Sequence, residues 1–321
     1  MNSKTKVRVA AIGAGGMANM MHYPSLTSMP DVEFVGLCDM VEDKLKATAE
    51  KFGIPKTFSD YRKMLDETEP DAVYILMPPH HLFDLAADCL NRKHHVFIEK
   101  PPGLTTYQTT SLARLAEKND CLTMAGFQRR YCPVIVESKR RAEERGPIIQ
   151  CLSRFVKSAG VAPYYNGAID ILTCDAIHAV DLLRELGGEV KHISSTVSKF
   201  YAEIDNAFNS LVEFENGGVG MLLTNWVTGR RTFAAEIHSK NFSAFAEPDD
   251  KAIFYKDGDV NGEELLATDA AGSTEEYVKL GFFGESRHFM DCIKNGEQPK
   301  TNFADAVKTM ELVDRIYRSA M

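Results

Sequence analysis

A carboxylate, an ammonium and two prolines stand together at Glu99-Lys100-Pro101-Pro102, directly after the apolar run His95-Val96-Phe97-Ile98. Proline has no amide donor, so a strand cannot continue through this pair. Lys100 is therefore delivered at a strand's carboxyl end, the edge of an open α/β sheet where ligands bind. A strand ending in a polar turn would look the same in isolation, so the neighbouring groups decide. One is Gly13-Ala14-Gly15-Gly16-Met17-Ala18, which has the form G-x-G-x-x-A and follows the β-rich run Val7 to Ile12. Gly13 suits a tight turn, Gly15 lets backbone approach a diphosphate, and the small Ala18 allows close helix-strand packing. The amides of Gly16 and Met17, opening the helix, would face the negative ligand. Asp39 ends the next strand-like run, where an acidic side chain accepts from adenosine ribose hydroxyls and repels a 2′-phosphate. Met40 follows it, where an arginine would suit a phosphate, so NAD is expected rather than NADP. Asp39 also suits capping of the helix that follows.

A further group is Cys174, Asp175, His178 and Asp181, spaced three or four apart, so that a helix makes them neighbours on one face. A histidine between carboxylates suits proton transfer, because its ordinary pKa lies near working pH. A helix-surface histidine with ion-pair partners has the same spacing. The helix carrying these residues runs from Ile169 to Leu186 and stops at Gly187-Gly188.

The elements that position these groups follow from periodicity. In the first half, strand-like runs alternate with helical patterns over Val41 to Phe52, Tyr61 to Leu65, Leu82 to Leu90 and Thr106 to Asn119. Such alternation predicts a doubly wound parallel sheet. It puts the glycine loop, Pro78-Pro79 and Lys100-Pro101 at one edge, with Pro78 beside the cofactor. After Phe127 the texture changes. Gln128-Arg129-Arg130-Tyr131 is polar and basic, and Pro133 opens a charged helix that stops at Gly146. Runs of β type follow (Ile148 to Val156, His192 to Tyr201, Ala207 to Phe214, Gly218 to Val227, Thr232 to Ile237, Phe242 to Ala246), which predict a largely antiparallel sheet in an α+β domain. Two amphipathic helices, Glu276 to Ile293 and Phe303 to Ala320, close the chain. The expected division is 1–127 and 128–321, with the last helices able to pack back on the first domain.

Composition narrows the function classes. The chain has 321 residues, 44% hydrophobic and 26% charged, with a formal net charge of -8. An acidic balance argues against nucleic acid or an anionic membrane as partner. No apolar run approaches a membrane span, and the start leads straight into a β-like segment with no signal-peptide core. Seven cysteines without a C-x-x-C pair fit a reducing cytoplasm. The pairs His80-His81 and His94-His95 do not make a metal site: adjacent strand residues face opposite sides, and no H-E-x-x-H or cysteine cluster accompanies them.

The glycine motif, Asp39, Glu99-Lys100-Pro101, Gly126-Phe127-Gln128-Arg129-Arg130-Tyr131 and the His178 helix, in this order and spacing, resemble the Gfo/Idh/MocA oxidoreductases. The resemblance covers nearly the whole chain. It implies a Rossmann domain that binds NAD and an α/β domain whose open sheet supports homodimers or homotetramers. It also implies a sugar, cyclitol or derivative as substrate. Carried over by position, Lys100 contacts the nicotinamide side and a substrate oxygen, Glu99 modulates it, His178 is the acid/base, and Gln128 or Arg129 lines the nicotinamide end. The family's helix motif is D-x-x-x-H; here Cys174 occupies the aspartate's slot and Asp175 follows one residue later. One helical step is about 100°, so Asp175 is not a simple replacement, and Asp181 is another position where the family often has an aspartate. On the substrate side the candidates are Cys174, Asp175, Tyr164 and Trp226, with Tyr165, Asn166, Asn225, Arg230 and Arg231 nearby. Two other outcomes share this pattern: redox-neutral glycoside cleavage through transient oxidation, and a non-catalytic regulator responsive to NAD or sugar.

Overall fold

The computed structural model describes residues 6–159 and 162–320; residues 1–5, on which the reading of the chain start rests, lie outside them. Its contacts divide into two compact units, residues 1–127 with 282–307, and residues 128–281 with 308–321.

In the first unit six strands, β1 (Val7–Ile12), β2 (Val32–Cys38), β3 (Thr57–Phe58), β4 (Ala72–Ile75), β5 (His95–Ile98) and β6 (Thr123–Ala125), form a sheet of order β3-β2-β1-β4-β5-β6. Every pairing is parallel. All four residues of β4 are buried, as a parallel strand covered on both faces requires. The helices Glu42–Phe52, Tyr61–Thr68, Pro79–Asn91 and Thr106–Lys118 connect the strands. Asp60 and Thr105 open two of them by accepting from the amides of Arg62 and Gln108. The strand order reverses between β1 and β4, and the glycine loop, Pro78 and Lys100 follow the carboxyl ends of β1, β4 and β5. The Lys100-Pro101 peptide is cis. Late in the chain, the helix Phe282–Asn295 joins this unit.

A single helix from Glu276 to Ile293 does not form. The chain makes a short turn, Glu276–Lys279, and restarts at Phe282. Gly281 lies between at φ +90°, a backbone conformation open to glycine but strained for other residues. A Cβ there would sit 2.2 Å from the Gln128 carbonyl oxygen.

The second unit is an eight-stranded sheet of order β14-β13-β12-β11-β7-β10-β9-β8. Its strands are β7 (Gln150–Ser158), β8 (Val190–Ser198), β9 (Ala207–Phe214), β10 (Val219–Asn225), β11 (Val227–Ser239), β12 (Phe242–Glu247), β13 (Lys251–Lys256) and β14 (Glu263–Leu266). Only β7 and β10 pair in parallel; the other neighbours are antiparallel. The last two strands have no counterpart in the pattern read from sequence: in Lys251–Lys256 the interior Ala252 to Tyr255 is a short apolar run without polar alternation, and Glu263–Leu266 is a half-polar strand at the sheet edge. The helices Pro133–Arg145 and Ile177–Gly187 pack on this sheet. The helix expected from Ile169 to Leu186 is not uniformly α: Leu172–Ala176 is wound as a π-helix. A second π-helical stretch, Ala18–His22, interrupts the helix after the glycine loop. Single wide turns of this kind occur often at functional sites.

Candidate functional site

The candidate residues fall into two sets, one in each unit. In the first unit the glycine loop is fixed from several sides. Gly13 has φ +109°, and a Cβ on it would lie 2.5 Å from the Leu76 carbonyl oxygen, so only glycine fits. Its amide donates to the Cys38 carbonyl at 2.8 Å, and Tyr23 donates its hydroxyl to the Gly13 carbonyl. Gly15, by contrast, faces open space: a Cβ placed on it would meet nothing within 4 Å. That is the opening a diphosphate needs against backbone amides. Ala18 is buried and Met17 half exposed.

Asp39 braces the loop. Its Oδ2 accepts from the Ala14 amide at 2.7 Å and its Oδ1 from the Val41 amide at 2.8 Å. A carboxylate has about four acceptor positions, so these bonds leave capacity for ribose hydroxyls. Small-molecule pockets run from about 300 to 1,000 Å³; here one of ≈ 510 Å³ is lined by Asp39, Met40, Tyr61, Arg62, Met77 and His81. Arg62 has no spacing relation to the glycine motif and cannot be found from it. Its guanidinium lies over the Tyr61 ring at 4.7 Å and within 3.4 Å of Asp88. The loop, the open face at Gly15 and this cavity fit a dinucleotide. Pro78 caps the helix Pro79–Asn91 at the neighbouring strand end.

At the end of β5, Glu99 is clamped at both oxygens. Oε2 accepts from the Lys100 amide at 3.0 Å, and Oε1 lies 2.6 Å from His22 Nε2. Burial opposes the Glu99 charge, but the His22 hydrogen bond and charge and the nearby Lys100 more than offset it, holding the carboxyl below its ordinary range. His22 is fully buried and meets Phe97 and Phe282 edge-on at 5.5 and 5.2 Å. The sequence marks it only as a histidine four residues past the glycine motif.

In the second unit His178 is 7% exposed, which removes the reading as a helix-surface histidine. Asp175, 9% exposed, lies at the head of a polar chain. Its Oδ2 accepts from Lys157 Nζ and, at 2.8 Å, from the Tyr164 hydroxyl. The Trp226 indole N–H donates to Tyr164 Oη at 3.0 Å. Burial, then the Asp175 charge, pushes the Tyr164 phenol well up, so it remains a neutral donor. Trp226 is almost fully buried, and its one polar atom is engaged by the tyrosine. Lys157 sits 5.0 Å from the Phe155 ring and 5.6 Å from that of Trp226. No motif announces it; it is placed by β7 alone. Cys174 is buried.

Asp181 does not share the environment of Asp175. It is fully buried, accepts from Arg130 at 2.7 and 2.5 Å, and accepts from the Thr309 hydroxyl at 2.9 Å. The expectation of one polar face running from Cys174 to Asp181 assumed a uniform α-helix, and the π-helical stretch breaks that register. Arg130 and Asp181 thus form an internal ion pair that ties the Gln128–Tyr131 turn to the helix. Gln128 and Arg129, on the same turn, are buried, and the Arg129 guanidinium lies over Phe233 at 4.6 Å.

Comparison with known proteins agrees with this architecture. Residues 7–127 match the model of an oxidoreductase family with an NAD-binding Rossmann fold, and residues 170–244 match a GFO/IDH/MocA C-terminal domain. The chain is 24% identical over 328 residues to scyllo-inositol 2-dehydrogenase (NAD(+)) of Bacillus subtilis, covering 96% of this chain and 92% of that protein. It is 26% identical to myo-inositol 2-dehydrogenase of Thermotoga maritima, covering 93% and 92%. Among solved structures, levoglucosan dehydrogenase in complex with NADH superposes with a TM-score of 0.86 at 20% identity, over 98% and 97% of the two chains. With an NAD-binding Rossmann domain followed by a GFO/IDH/MocA C-terminal domain, this chain belongs to the Gfo/Idh/MocA family of oxidoreductases.

Proposed function

We propose that the chain is an NAD-dependent dehydrogenase that oxidises a secondary hydroxyl of a sugar, a cyclitol or a derivative of one, or reduces the matching carbonyl. What supports this reading is that the chain carries both a dinucleotide-fitted loop with a strand-end lysine, in one unit, and a buried histidine with a polar Asp175–Lys157–Tyr164 chain, in the other. Bound NAD supplies the hydride acceptor. His178 takes the hydroxyl proton, and Lys100 steadies the negative charge that develops on the oxygen. Glu99 holds the lysine backbone. Asp175, Lys157 and Tyr164 offer charged and neutral hydrogen-bonding groups at one place, which suits neighbouring hydroxyls of a polyol. Trp226 acts through Tyr164.

Dehydrogenases of inositols and of levoglucosan are among the relatives, which supports the polyol class without selecting a member of it. Because Asp39 offers an anionic carboxylate at the ribose, NAD is the preferred cofactor. Seven buried cysteines support a reducing cytoplasm as the location; among the described residues no helix is long and apolar enough to cross a membrane. The test is a panel of sugars and cyclitols with NAD and with NADP, read by absorbance of the reduced cofactor. NADH formation with at least one polyol is expected. Activity with NADP alone would overturn the cofactor assignment, and no turnover with any polyol would overturn the substrate class.

A further inference from the structure

Glu285 lies on the helix Phe282–Asn295 and is fully buried, and neither of its carboxyl oxygens has a hydrogen-bond partner among the described residues. His22, also fully buried, has its Nε2 on Glu99 and its Nδ1 without a partner among those residues. Buried groups of this kind are rarely left unsatisfied, since a buried polar atom without a partner loses its hydration with nothing in return, and a charged one loses more. The helix brings the two together. Phe282, Glu285 and Phe289 are spaced three and four apart and share one face. Phe282 meets the His22 ring at 5.2 Å, and Phe289 meets Tyr74 and Phe97 at 6.0 and 6.1 Å. Glu285, between the two phenylalanines, therefore faces the same packet of His22, Tyr74 and Phe97.

We propose that Glu285 and His22 are positioning residues for Lys100. The Glu285 carboxyl and the His22 imidazole, bridged by one water, close a polar column Glu285–His22–Glu99 that holds the Lys100 backbone in place. This rests on the dehydrogenase reading for the role of Lys100, but not for the existence of the column. The groups have complementary chemistry. Burial first, and then the Glu99 charge, raises the Glu285 carboxyl well above its ordinary value, so it is a neutral acid carrying an O–H donor. A neutral carboxyl offers an O–H donor and a carbonyl acceptor, so it complements His22 Nδ1 in either protonation state of the ring. The other titratable groups that bear on this packet are Tyr74, whose phenol is raised by burial and further by Glu285, and Arg287, which acts on Tyr74 in the opposite sense.

The test uses Glu285→Leu, Glu285→Gln and His22→Gln in the full chain. Glu285→Leu is expected to lower kcat by about tenfold or more while KM and NAD affinity stay within about twofold. Glu285→Gln keeps the shape and a donor and should recover most of the loss. A second readout does not need activity: the lysines are methylated with 13C and the Lys100 signal, identified by its loss in Lys100→Arg, is titrated. The midpoint is expected to move by about half a unit or more in Glu285→Leu and in His22→Gln. Folded Glu285→Leu with wild-type kcat and an unmoved Lys100 titration would overturn the proposal. If the wild type turns over no polyol, the dehydrogenase reading fails, and the Lys100 titration alone then decides the column.

Discussion

At the scale of single residues the assignment comes down to Lys100 and His178. A positioned acid/base is worth about 10²–10⁴-fold in rate, or roughly 3–5 kcal/mol of barrier. His178→Ala and Lys100→Ala should each reduce kcat by at least about 10²-fold, while NAD binding, which we assign to the Gly13 loop and Asp39, is expected to be largely kept. Steady-state kinetics with a titration of NAD by fluorescence or calorimetry separates the two effects. A variant with near wild-type turnover removes that residue from the mechanism. Lys100 and His178 stand out as candidates in the sequence because each sits in a local pattern, a strand end before proline and a helix spacing. Lys157 and His22 do not. Lys157 reaches Asp175 from 18 positions away and His22 reaches Glu99 from 77, so only the folded chain puts these pairs within hydrogen-bond distance.

At the scale of elements, strand and helix alternation in the first 127 residues was legible because buried parallel strands are short, apolar and separated by helices of regular period. Interruptions of helices were not. The π-helical stretches Ala18–His22 and Leu172–Ala176 contain no glycine or proline to mark them, so tertiary packing and not local propensity selects the wider turn. One consequence concerns Asp175: the shift of one position that made it look misplaced assumed a uniform α-helix, and its carboxylate meets Lys157 and Tyr164 from a wider turn. The break at Gly281 is different in kind, because glycine was visible but its positive φ was not. Gly281→Ala must place a Cβ 2.2 Å from the Gln128 carbonyl in a backbone conformation disfavoured for alanine. A loss of about 2–4 kcal/mol of stability is expected, from backbone strain and overpacking together. A fall in the denaturant midpoint without change of slope would show it; an unchanged midpoint would mean that the turn relaxes at no cost.

At the scale of the whole molecule, the second unit's sheet has apolar side chains on both faces. In β10, Leu222 and Thr224 are buried while the alternating Val219, Met221 and Leu223 are 43%, 42% and 37% exposed. The solvent-side positions continue across the sheet in register, exposed at Leu211, Met221 and Phe245 and half-buried at Leu152, Glu236 and Ile253: Leu211 pairs with Met221, Met221 with Leu152, Leu152 with Glu236, Glu236 with Phe245, and Phe245 with Ile253. Residues opposite one another across strands point to the same face, so this is one belt, apolar except at Glu236. The buried alternation faces the helices Pro133–Arg145 and Ile177–Gly187, and an exposed apolar belt is a candidate surface for another protein. The occupant we propose is a second copy of the chain: the belt runs over six strands of one rigid sheet, and a two-fold pairing of identical faces is the commonest way to cover such a surface. Leu211→Lys with Met221→Lys would put two positive charges per chain on this face, four in such a pair. Light scattering should then show the mass per particle falling to that of one chain, about 35.7 kDa, while NAD affinity is unchanged because the glycine loop belongs to the other unit. A wild-type protein that is already monomeric at micromolar concentration, or a double variant that stays associated, would remove this face from the interface.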